Sequence, residues 1–314
     1  MLATFDVSVI GELNLDLILS GLPSSLTLEH EHLASDLSIT LGSSSAIFAH
    51  NLASLGTRVA FSSSIGSDPF GQICLDRLGA SGVDLSRIRR MAGKTTGLTV
   101  ILPQGKQRYI LTYPGTMFEM TAQDLDLDYV FSAKHLHLSS YFLQKALQPS
   151  LPDIFHKAKQ AGLTTSLDTN DDPEDRWSPE LLPLLQYVDV LLPNEREACK
   201  LAQVDDVERA LEVLSQKVRF VVIKRGSQGA LARASGQIYL AAPRRVQAID
   251  HVGAGDSFDA GFIRQFIRGA KIEDCLAYGN ITGALSVTRP GGTEAFRDAQ
   301  HRESFLHAHT TTKG

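Results

Sequence analysis

The sequence predicts an α/β fold, a three-layer α/β sandwich built around a mostly parallel central sheet. The chain has 314 residues, of which 43% are hydrophobic and 21% are charged, so it can bury a large core. From Tyr129 onward, short β-rich runs alternate with stretches of helical spacing. That alternation is typical of βαβ units, in which helices join parallel strands.

The individual elements follow from hydrophobic spacing along the chain. Phe5–Ile10 alternates with period two and meets Gly11, which predicts a first strand that ends at a turn. Helical spacing predicts helices over Leu151–Gln160 and Val207–Gln216, and Gly162 is a helix-ending signal just beyond the first of them. Further strands are predicted at Val130–Leu138, Leu163–Leu167, Val188–Leu192 and Phe220–Ile223.

Two segments, at about residues 13–40 and 94–116, do not fit this alternation. The second contains the β-rich runs Gly97–Leu102 and Gln107–Leu111, separated by the turn-forming residues Pro103–Lys106, which predicts a hairpin. We therefore expect one domain over residues 1–314, with these two segments inserted in it as a small β-sheet lid.

The composition excludes several classes of protein. A formal net charge of -5 provides no positive field for nucleic acid, and no apolar run approaches the ~18 residues that cross a bilayer. Residues 1–6 lack the basic segment of a signal peptide, and we interpret them as the start of the first strand.

Cys74, Cys199 and Cys275 form no disulfide or metal pattern, which favours buried thiols in a cytoplasmic protein. The polar tail 307–314 is expected to fray.

The strongest local signal is the run Gly253-Ala254-Gly255-Asp256 at the start of a predicted helix. The small residues allow a tight turn that points N–H groups outward, and the helix start adds the positive end of its dipole. Such a turn suits a phosphoryl group, and the carboxylate of Asp256 can accept a hydroxyl proton beside it. The alternative is that Asp256 only caps the helix. The apolar stripe of this helix is Phe258, Phe262, Ile263, Phe266, Ile267 and Ala270.

Residues 250–256, Asp-His-Val-Gly-Ala-Gly-Asp, resemble the C-terminal signature of the ribokinase-like (phosphofructokinase-B type) carbohydrate kinases. That signature reads approximately Asp-Thr-x-Gly-Ala-Gly-Asp, so His251 takes the place of its threonine. Each further matching piece is weak alone, but together they follow the family order across most of the chain. These pieces are Gly11–Asp16, Gly42–Gly56, Gly66–Gly71, Leu192–Glu197 and Lys224–Gly229.

The resemblance implies ATP-dependent phosphorylation of a sugar hydroxyl in an active site between the sandwich and the lid. Asp256 is then the general base, and the amides of Gly253, Ala254 and Gly255 hold the charge of the phosphoryl oxygens. ATP and Mg²⁺ are the expected cofactors, with magnesium bridging the β- and γ-phosphates. Asp250 corresponds to a monovalent-cation ligand of the family, so potassium is expected to activate the enzyme, unless this residue only ends a strand.

The resemblance also assigns residues to the sugar. Asn14 and Asp16 are expected to bind sugar hydroxyls, the alternative being that they only form a turn. Gly42 and Ser43 fall on the glycine pair of relatives. Arg108, on the lid hairpin, is expected to contact a carboxylate or phosphate of the substrate or else to be solvated.

Ile47 is the clearest departure from the family pattern, because ribose-type members carry an asparagine there. Isoleucine cannot form a hydrogen bond, so ribose is expected to be a poor substrate. The preferred sugar is expected to turn an apolar, deoxygenated or larger edge toward Ile47. Alternatively, Ile47 packs inside a predicted helix over Ser44–Leu55, and one of the preceding serines meets the sugar.

The nucleotide and its magnesium are assigned to residues that follow the later strands. Asn194 and Glu197 match a family pattern that places magnesium and the phosphates through water, although the same spacing fits a helix cap with a first-turn acid. The other residues assigned to the nucleotide are Lys224, Gly226, Gly229, Asn280 and the turn Arg289–Thr293.

Two other functions stay open at this point. A nucleoside kinase fits a more apolar sugar pocket, for which Ile47 and Phe48 are candidates. A non-catalytic sugar-sensing protein of the same fold is the second alternative, but such a protein has little need of Asp256. Because the lid of relatives often forms a dimer contact, a homodimer through the lid is also expected.

Overall fold

The computed structural model describes residues 3–104, 107–177 and 179–310. The strands are β1 Phe5–Ile10, β2 Leu15–Ser20, β3 Asp36–Leu41, β4 Val59–Ser62, β5 Ser64–Gly66, β6 Arg89–Met91, β7 Leu98–Gln104, β8 Gln107–Tyr113, β9 Ala133–Ser139, β10 Thr164–Asp168, β11 Val190–Leu191, β12 Phe220–Lys224, β13 Ala230–Ala234 and β14 Gln237–Ala241. The α-helices are α1 Ser44–Ser54, α2 Pro69–Gly79, α3 Leu127–Val130, α4 Leu151–Gln160, α5 Leu182–Leu185, α6 Glu195–Ala202, α7 Val207–Ser215, α8 Ala254–Phe266, α9 Ile272–Ser286, α10 Glu294–Arg297 and α11 Ala299–Thr310.

Eight strands form the central sheet, in the order β14-β13-β12-β11-β10-β9-β1-β4. The six strands from β12 to β4 are parallel, whereas β13 and β14 extend the sheet as antiparallel neighbours. Parallel strands end at the same edge of a sheet, and in open α/β sheets that edge binds ligands. The topology therefore brings the residues after β1, β9, β10, β11 and β12 to one edge.

Helices cover both faces of the central sheet, which confirms the predicted three-layer sandwich. One core packs α4, α5, α6 and α7 against the sheet, and the other packs α1, α2, α8 and α9. Val221 and Ile223 of β12 belong to the first core, and Val222 belongs to the second. This alternation explains why Val221, Val222 and Ile223 are all apolar: side chains of β12 are buried on both faces of the sheet.

The lid is a separate four-stranded sheet in the order β3-β2-β7-β8. Its strands fall within the two segments predicted for it, except that β3 extends one residue further, to Leu41. The strand register divides its side chains into two faces. The inner face carries Asp16, Ile18, Thr40, Thr99, Ile101, Arg108, Ile110 and Thr112. Ile18 and Ile101 pack against Val252, which seats the lid beside the glycine turn.

The structure corrects three details of the predicted elements. Val130 ends the short helix α3 instead of beginning a strand, and β9 starts only at Ala133. Residues 307–310 belong to α11 and are not frayed, while 311–314 lie outside the described residues. Pro103 and Gln104 continue β7 by pairing with β8, so they are not turn residues. The rest of the predicted turn, Gly105 and Lys106, lies outside the described residues.

In the described ranges, no helix is both long enough and apolar enough to cross a membrane. All three cysteines are free thiols. Cys74 and Cys275 are buried, as predicted, whereas Cys199 is only partly buried on α6.

Candidate active site

Two adjoining cavities lie where the lid meets the C-terminal edge of the central sheet. The first, of about 450 Å³, is lined by the inner face of the lid, the start of α1 and residues that follow β1, β9, β10, β11 and β12. The second, of about 590 Å³, lies between the loop after β12, residues 243–248 and α9. The residues that line both cavities are Lys224, Gly226, His251, Ala254 and Gly255. The predicted glycine turn is therefore at the junction.

The turn Gly253–Gly255 opens helix α8, and Gly253 is the N-cap residue with a φ of 71°. That φ lies in the left-handed region, where a side chain is strained. A Cβ on Gly253 would also lie 2.5 Å from Cα of Gly292, so the position has no room for one. The first N–H groups of a helix lack partners within it. Ala254 and Gly255 line both cavities, and the Ala254 amide donates only a long hydrogen bond, of 3.4 Å, to the carbonyl of His251. This arrangement supports the predicted anion site.

Asp256 lies in the first turn of α8 and does not cap the helix, which removes the alternative explanation for this residue. Its side chain accepts a hydrogen bond from Ser44 and lines the first cavity, while the residue is only 7% exposed. Burial, followed by the charge of Asp168, raises the pKa of Asp256 to about 6. A carboxylate with this pKa is ionised at neutral pH and is a stronger base than an exposed one.

The pKa of Asp256 predicts the pH dependence of turnover. Burial and the charges of Asp256 and Asp250 also raise the pKa of Asp16, to about 7. If Asp256 is the base and Asp16 holds the sugar, both carboxylates must first lose a proton, so kcat/KM for the sugar should fall as the pH drops below about 7. Below about pH 6, the slope of log kcat/KM against pH should approach 2, because two protons are then involved. A profile that is flat from pH 5 to pH 8 would contradict both assignments.

Asn14, Asp16 and Gly42 lie together at the base of the lid. Asn14 is 2% exposed, and its Oδ1 has no hydrogen-bond partner among the described residues, although it lines the first cavity. A buried acceptor without a partner is costly, and a sugar hydroxyl can supply the missing donor. A Cβ on Gly42 would lie 2.1 Å from Oδ1 of Asp16, so glycine leaves room for that carboxylate.

Ser43 and Ile47 make structural contacts and also line the first cavity. Ser43 is the N-cap of α1 with a φ of 72°, and its hydroxyl donates to the carbonyl of Glu12 at 2.5 Å. Ile47 is 3% exposed and packs so closely on Gly253 and Gly292 that added Cβ atoms would lie 3.1 and 2.6 Å from it. Both residues nevertheless line the first cavity. Ile47 therefore supports the turn and presents apolar atoms to the cavity.

The far wall of the first cavity is mostly apolar. Ile101 and Ile110 of the lid, together with Met117 and Leu143, line it. Arg108 lies on the inner face of β8, is exposed, and lines the same cavity. The wall thus offers apolar surface with one arginine at its lid side.

The second cavity contains the predicted nucleotide-binding glycines. Gly226 and Gly229 have φ values of 53° and 86°, and a Cβ on Gly229 would lie 2.0 Å from the carbonyl oxygen of Ala241. Asn280 also lines the cavity, but its amide donates to the carbonyls of Ala241 and Ala242 at 3.2 and 3.0 Å. Its structural role is to hold the end of β14 over the cavity. The turn at Arg289–Thr293 lies elsewhere: Gly292 packs against Ile47, and Arg289 and Pro290 line a different cavity.

Asn194 and Glu197 form a capping box at the start of α6. The side chain of Asn194 accepts from the Glu197 amide at 3.0 Å, and the Glu197 carboxylate accepts from the Asn194 backbone amide at 2.8 Å and from its side-chain amide at 2.5 Å. Burial and the charge of Asp168 raise the pKa of Glu197 to about 7. Both residues line the first cavity, so the cap is compatible with the predicted role. Carboxylate oxygens are ligands that Mg²⁺ prefers, so Glu197, which lines the first cavity, fits a magnesium ion held through water.

Both carboxylate oxygens of Asp250 accept hydrogen bonds from backbone amides. They accept from Val252 at 3.1 Å and from Gly291 at 2.8 Å, which ties the loop before α8 to the turn beyond α9. Asp250 does not end a strand, because β14 already ends at Ala241. In the described ranges, no cluster of three or more His, Cys, Asp or Glu side chains could hold a metal ion. Potassium binding at Asp250 therefore stays a prediction.

Several site residues were missed by the sequence reasoning. Glu12 is 2% exposed, lines the first cavity and accepts from Ser45 at 2.8 Å and from Gln144 at 2.7 Å. Ser140 and Asn170, also in this cavity, have φ values of 53° and 52°, and the Asn170 side chain accepts from the Ser140 amide at 2.8 Å. Strained non-glycine residues cluster at functional sites. The sequence signal that could have identified these three residues is their position just after predicted strands.

The fold and the two cavities place the protein in the class of ribokinase-like kinases. A solved structure of an E. coli protein assigned as ribokinase II, in complex with ATP and Mg²⁺, superimposes with a TM-score of 0.86 at 25% identity, covering 97% of this chain and 100% of that chain. The structure of Arabidopsis thaliana ribokinase complexed with ribose and ATP shares the fold, with a TM-score of 0.82 at 23% identity over 96% and 98% of the two chains. Within that class, the chain belongs to the pfkB family of carbohydrate kinases, whose model matches residues 4–299.

Curated relatives of the chain are sugar kinases. An ATP-dependent ribose-1-phosphate kinase of Halopiger xanaduensis is 31% identical over 255 residues, which cover 81% of this chain and 82% of that protein. A 2-dehydro-3-deoxygluconokinase of Bacillus subtilis is 29% identical over 296 residues, covering 89% and 90% of the two chains. These matches support a carbohydrate kinase.

Proposed function

We propose that the protein transfers the γ-phosphoryl group of ATP to a hydroxyl of a sugar or sugar derivative. The observation that carries this proposal is the position of Asp256, a buried carboxylate with a raised pKa that lines the first cavity directly after the turn shared by both cavities. One cavity has groups that suit a sugar, and the other has the glycine-rich lining that suits a nucleotide.

The residues of the chain divide the reaction between them. Asp256 removes the proton of the sugar hydroxyl, whose oxygen then attacks the γ-phosphorus in line with the leaving ADP. The amides of the 253–255 turn hold the negative charge of the phosphoryl oxygens. Asp16 and Asn14 position the sugar, and closure of the lid excludes water that would otherwise hydrolyse ATP. Glu197 would hold magnesium through water, and the bound ion would supply charge neutralisation on the phosphates.

We expect ribose to be a poor substrate. A ribose hydroxyl against Ile47 loses its water partners without gaining a hydrogen bond, which costs ~1 to 3 kcal/mol, or roughly 5- to 150-fold in kcat/KM. Ile47→Asn should raise kcat/KM for ribose relative to the best substrate, and the apolar Ile47→Val should leave that ratio unchanged. If ribose is the best substrate and Ile47→Asn does not improve it, Ile47 does not face the sugar.

The substrate panel should include charged sugars because Arg108 lines the first cavity. One relative is by name a ribose-1-phosphate kinase, and another is a 2-dehydro-3-deoxygluconokinase. A carboxylate or phosphate on the substrate would pair with this arginine. ADP release should therefore be measured with ribose, fructose, ribose 1-phosphate, 2-dehydro-3-deoxygluconate and nucleosides.

A nucleoside kinase is the second candidate, favoured by the apolar wall of the first cavity. Ile101, Ile110, Met117 and Leu143 provide surface on which a base can lie. Faster ADP release with adenosine than with any free or charged sugar would select this function.

We further propose that the protein forms a homodimer through the outer face of the lid. This face includes nine apolar or aromatic side chains, five of them exposed, beside the polar Gln104 and Gln107. The nine are Leu17, Leu19, Leu37, Ile39, Val100, Leu102, Tyr109, Leu111 and Tyr113. Contiguous apolar surface of this kind is typical of protein interfaces. Light scattering should show a dimer that Leu111→Glu converts to monomer, whereas an unmodified chain that is monomeric at all concentrations would contradict the interface.

A further inference from the structure

We propose that Lys224 is a catalytic residue that donates a hydrogen bond to the oxygen linking the β- and γ-phosphorus atoms as that bond breaks. The proposal rests on the proposed function and extends it. Sequence comparison assigned Lys224 only to the nucleotide, whereas its surroundings give it a place at the reacting atoms.

Lys224 is at the point where the two cavities meet. It is the last residue of β12, and it lines both the sugar cavity and the nucleotide cavity. With a sugar hydroxyl in one cavity and the nucleotide in the other, the bond that breaks must lie at their junction. A Cβ on Gly255 would lie 3.4 Å from Nζ of Lys224, so the ammonium group sits against the anion-binding turn.

Two buried carboxylates fix the ammonium group and leave one of its donors free. Nζ of Lys224 donates to Oδ2 of Asp168 at 2.6 Å and to Oδ2 of Asp259 at 2.9 Å. A lysine ammonium has three N–H donors, so one remains after these two bonds. The lysine side chain is 11% exposed, whereas those of Asp168 and Asp259 are 0% and 1% exposed. The accessible part of this group therefore faces the cavities.

The ammonium group keeps its charge in this position. Burial lowers the pKa of Lys224, but the charges of Asp168 and Asp259 outweigh that effect and raise it. Of the five described residues that line both cavities, Lys224 alone carries a permanent positive charge. A cation held before the substrates bind stabilises developing negative charge without a cost of reorganisation.

The step can be written with each bond accounted for. The sugar oxygen forms a bond to the γ-phosphorus while its proton passes to the carboxylate of Asp256. The bond from the γ-phosphorus to the bridging oxygen breaks, and its electron pair stays on ADP. Lys224 hydrogen-bonds that oxygen and keeps its own proton, and Asp256 later releases its proton to water.

The test compares two variants that differ only at Lys224. Asp168→Asn keeps the ammonium paired with the charged Asp259, and the double variant adds Lys224→Met. Burial raises the pKa of Asp259, so the carboxyl that Lys224→Met leaves alone can take up a proton and carries no unpaired charge. The double variant should have a kcat ~10²- to 10³-fold below that of Asp168→Asn. Its Kd for ADP, measured by calorimetry, and its KM for the sugar should change by less than about threefold.

Lys217→Met is the control, because Lys217 is an exposed lysine on the surface. This variant should keep the kcat of the unmodified protein. A double variant whose kcat lies within about tenfold of Asp168→Asn would overturn the proposal, since Lys224 would then only balance two carboxylates. A Kd for ADP that rises by the same factor as kcat falls would overturn the proposal too, because the lysine would then serve ground-state binding. Failure of the unmodified protein to release ADP with any sugar would instead contradict the proposed function, so the two failures are distinguishable.

Discussion

Asp256→Asn is expected to abolish turnover while leaving the fold and ADP binding nearly intact. Asparagine is nearly isosteric with aspartate, but its amide cannot accept the proton of the sugar hydroxyl. Loss of the general base should lower kcat by ~10²- to 10⁴-fold. Steady-state kinetics with the best substrate of the panel gives kcat, and calorimetry with ADP gives the binding constant.

Asp274→Asn is the matched control, because Asp274 also lies in the first turn of a helix, α9, but is exposed and outside both cavities. This variant should keep the unmodified rate. An Asp256→Asn protein that retains more than half of the unmodified kcat would eliminate Asp256 as the base.

Gly42→Ala should disable sugar binding through Asp16. A Cβ at this position would lie 2.1 Å from Oδ1 and 2.6 Å from Cγ of Asp16, so the carboxylate must move. Gly42 does not have a positive φ, so alanine fits the backbone and the clash is confined to the side chain. A displacement of about 1 Å at a positioning group can cost ~10²-fold in kcat/KM for the sugar.

Gly79→Ala is the control for this substitution, since a Cβ there would lie 3.4 Å from Cδ1 of Leu85, an ordinary contact. ADP binding should be unaffected in both variants because neither Gly42 nor Gly79 lines the nucleotide cavity. If Gly42→Ala keeps the unmodified kcat/KM, the carboxylate of Asp16 does not hold the sugar.

The sequence predicts most accurately those helices and strands whose buried side chains recur at a regular spacing along the chain. Phe5–Ile10 is strand β1 and Leu151–Gln160 is helix α4, with the predicted bounds. Both are packed along their length, so hydrophobic spacing reports their structure directly. Val130 shows where this fails: it is buried at the end of a one-turn helix, and burial alone does not separate that from a strand.

The site was predictable where its residues are contiguous in the chain and not where the fold brings them together. The 253–255 turn and Asp256 are neighbours in sequence, so their joint chemistry is visible in one motif. The pairing of Lys224 with Asp168 and Asp259 joins β12, β10 and α8, and no spacing rule relates them. The amide of Asn280 illustrates the same limit, because its partners are carbonyls at the end of a distant strand.

Phosphorylation of a sugar hydroxyl with Asp256 as the base is tested by incubating the unmodified protein and Asp256→Asn with ATP, Mg²⁺ and the substrate panel. ADP and the phosphorylated product are followed by ³¹P NMR. We expect equal amounts of ADP and a sugar phosphate ester with the unmodified protein, and neither at a comparable rate with the variant. ADP release that does not depend on the sugar, or ester formation at equal rates by both proteins, would contradict it.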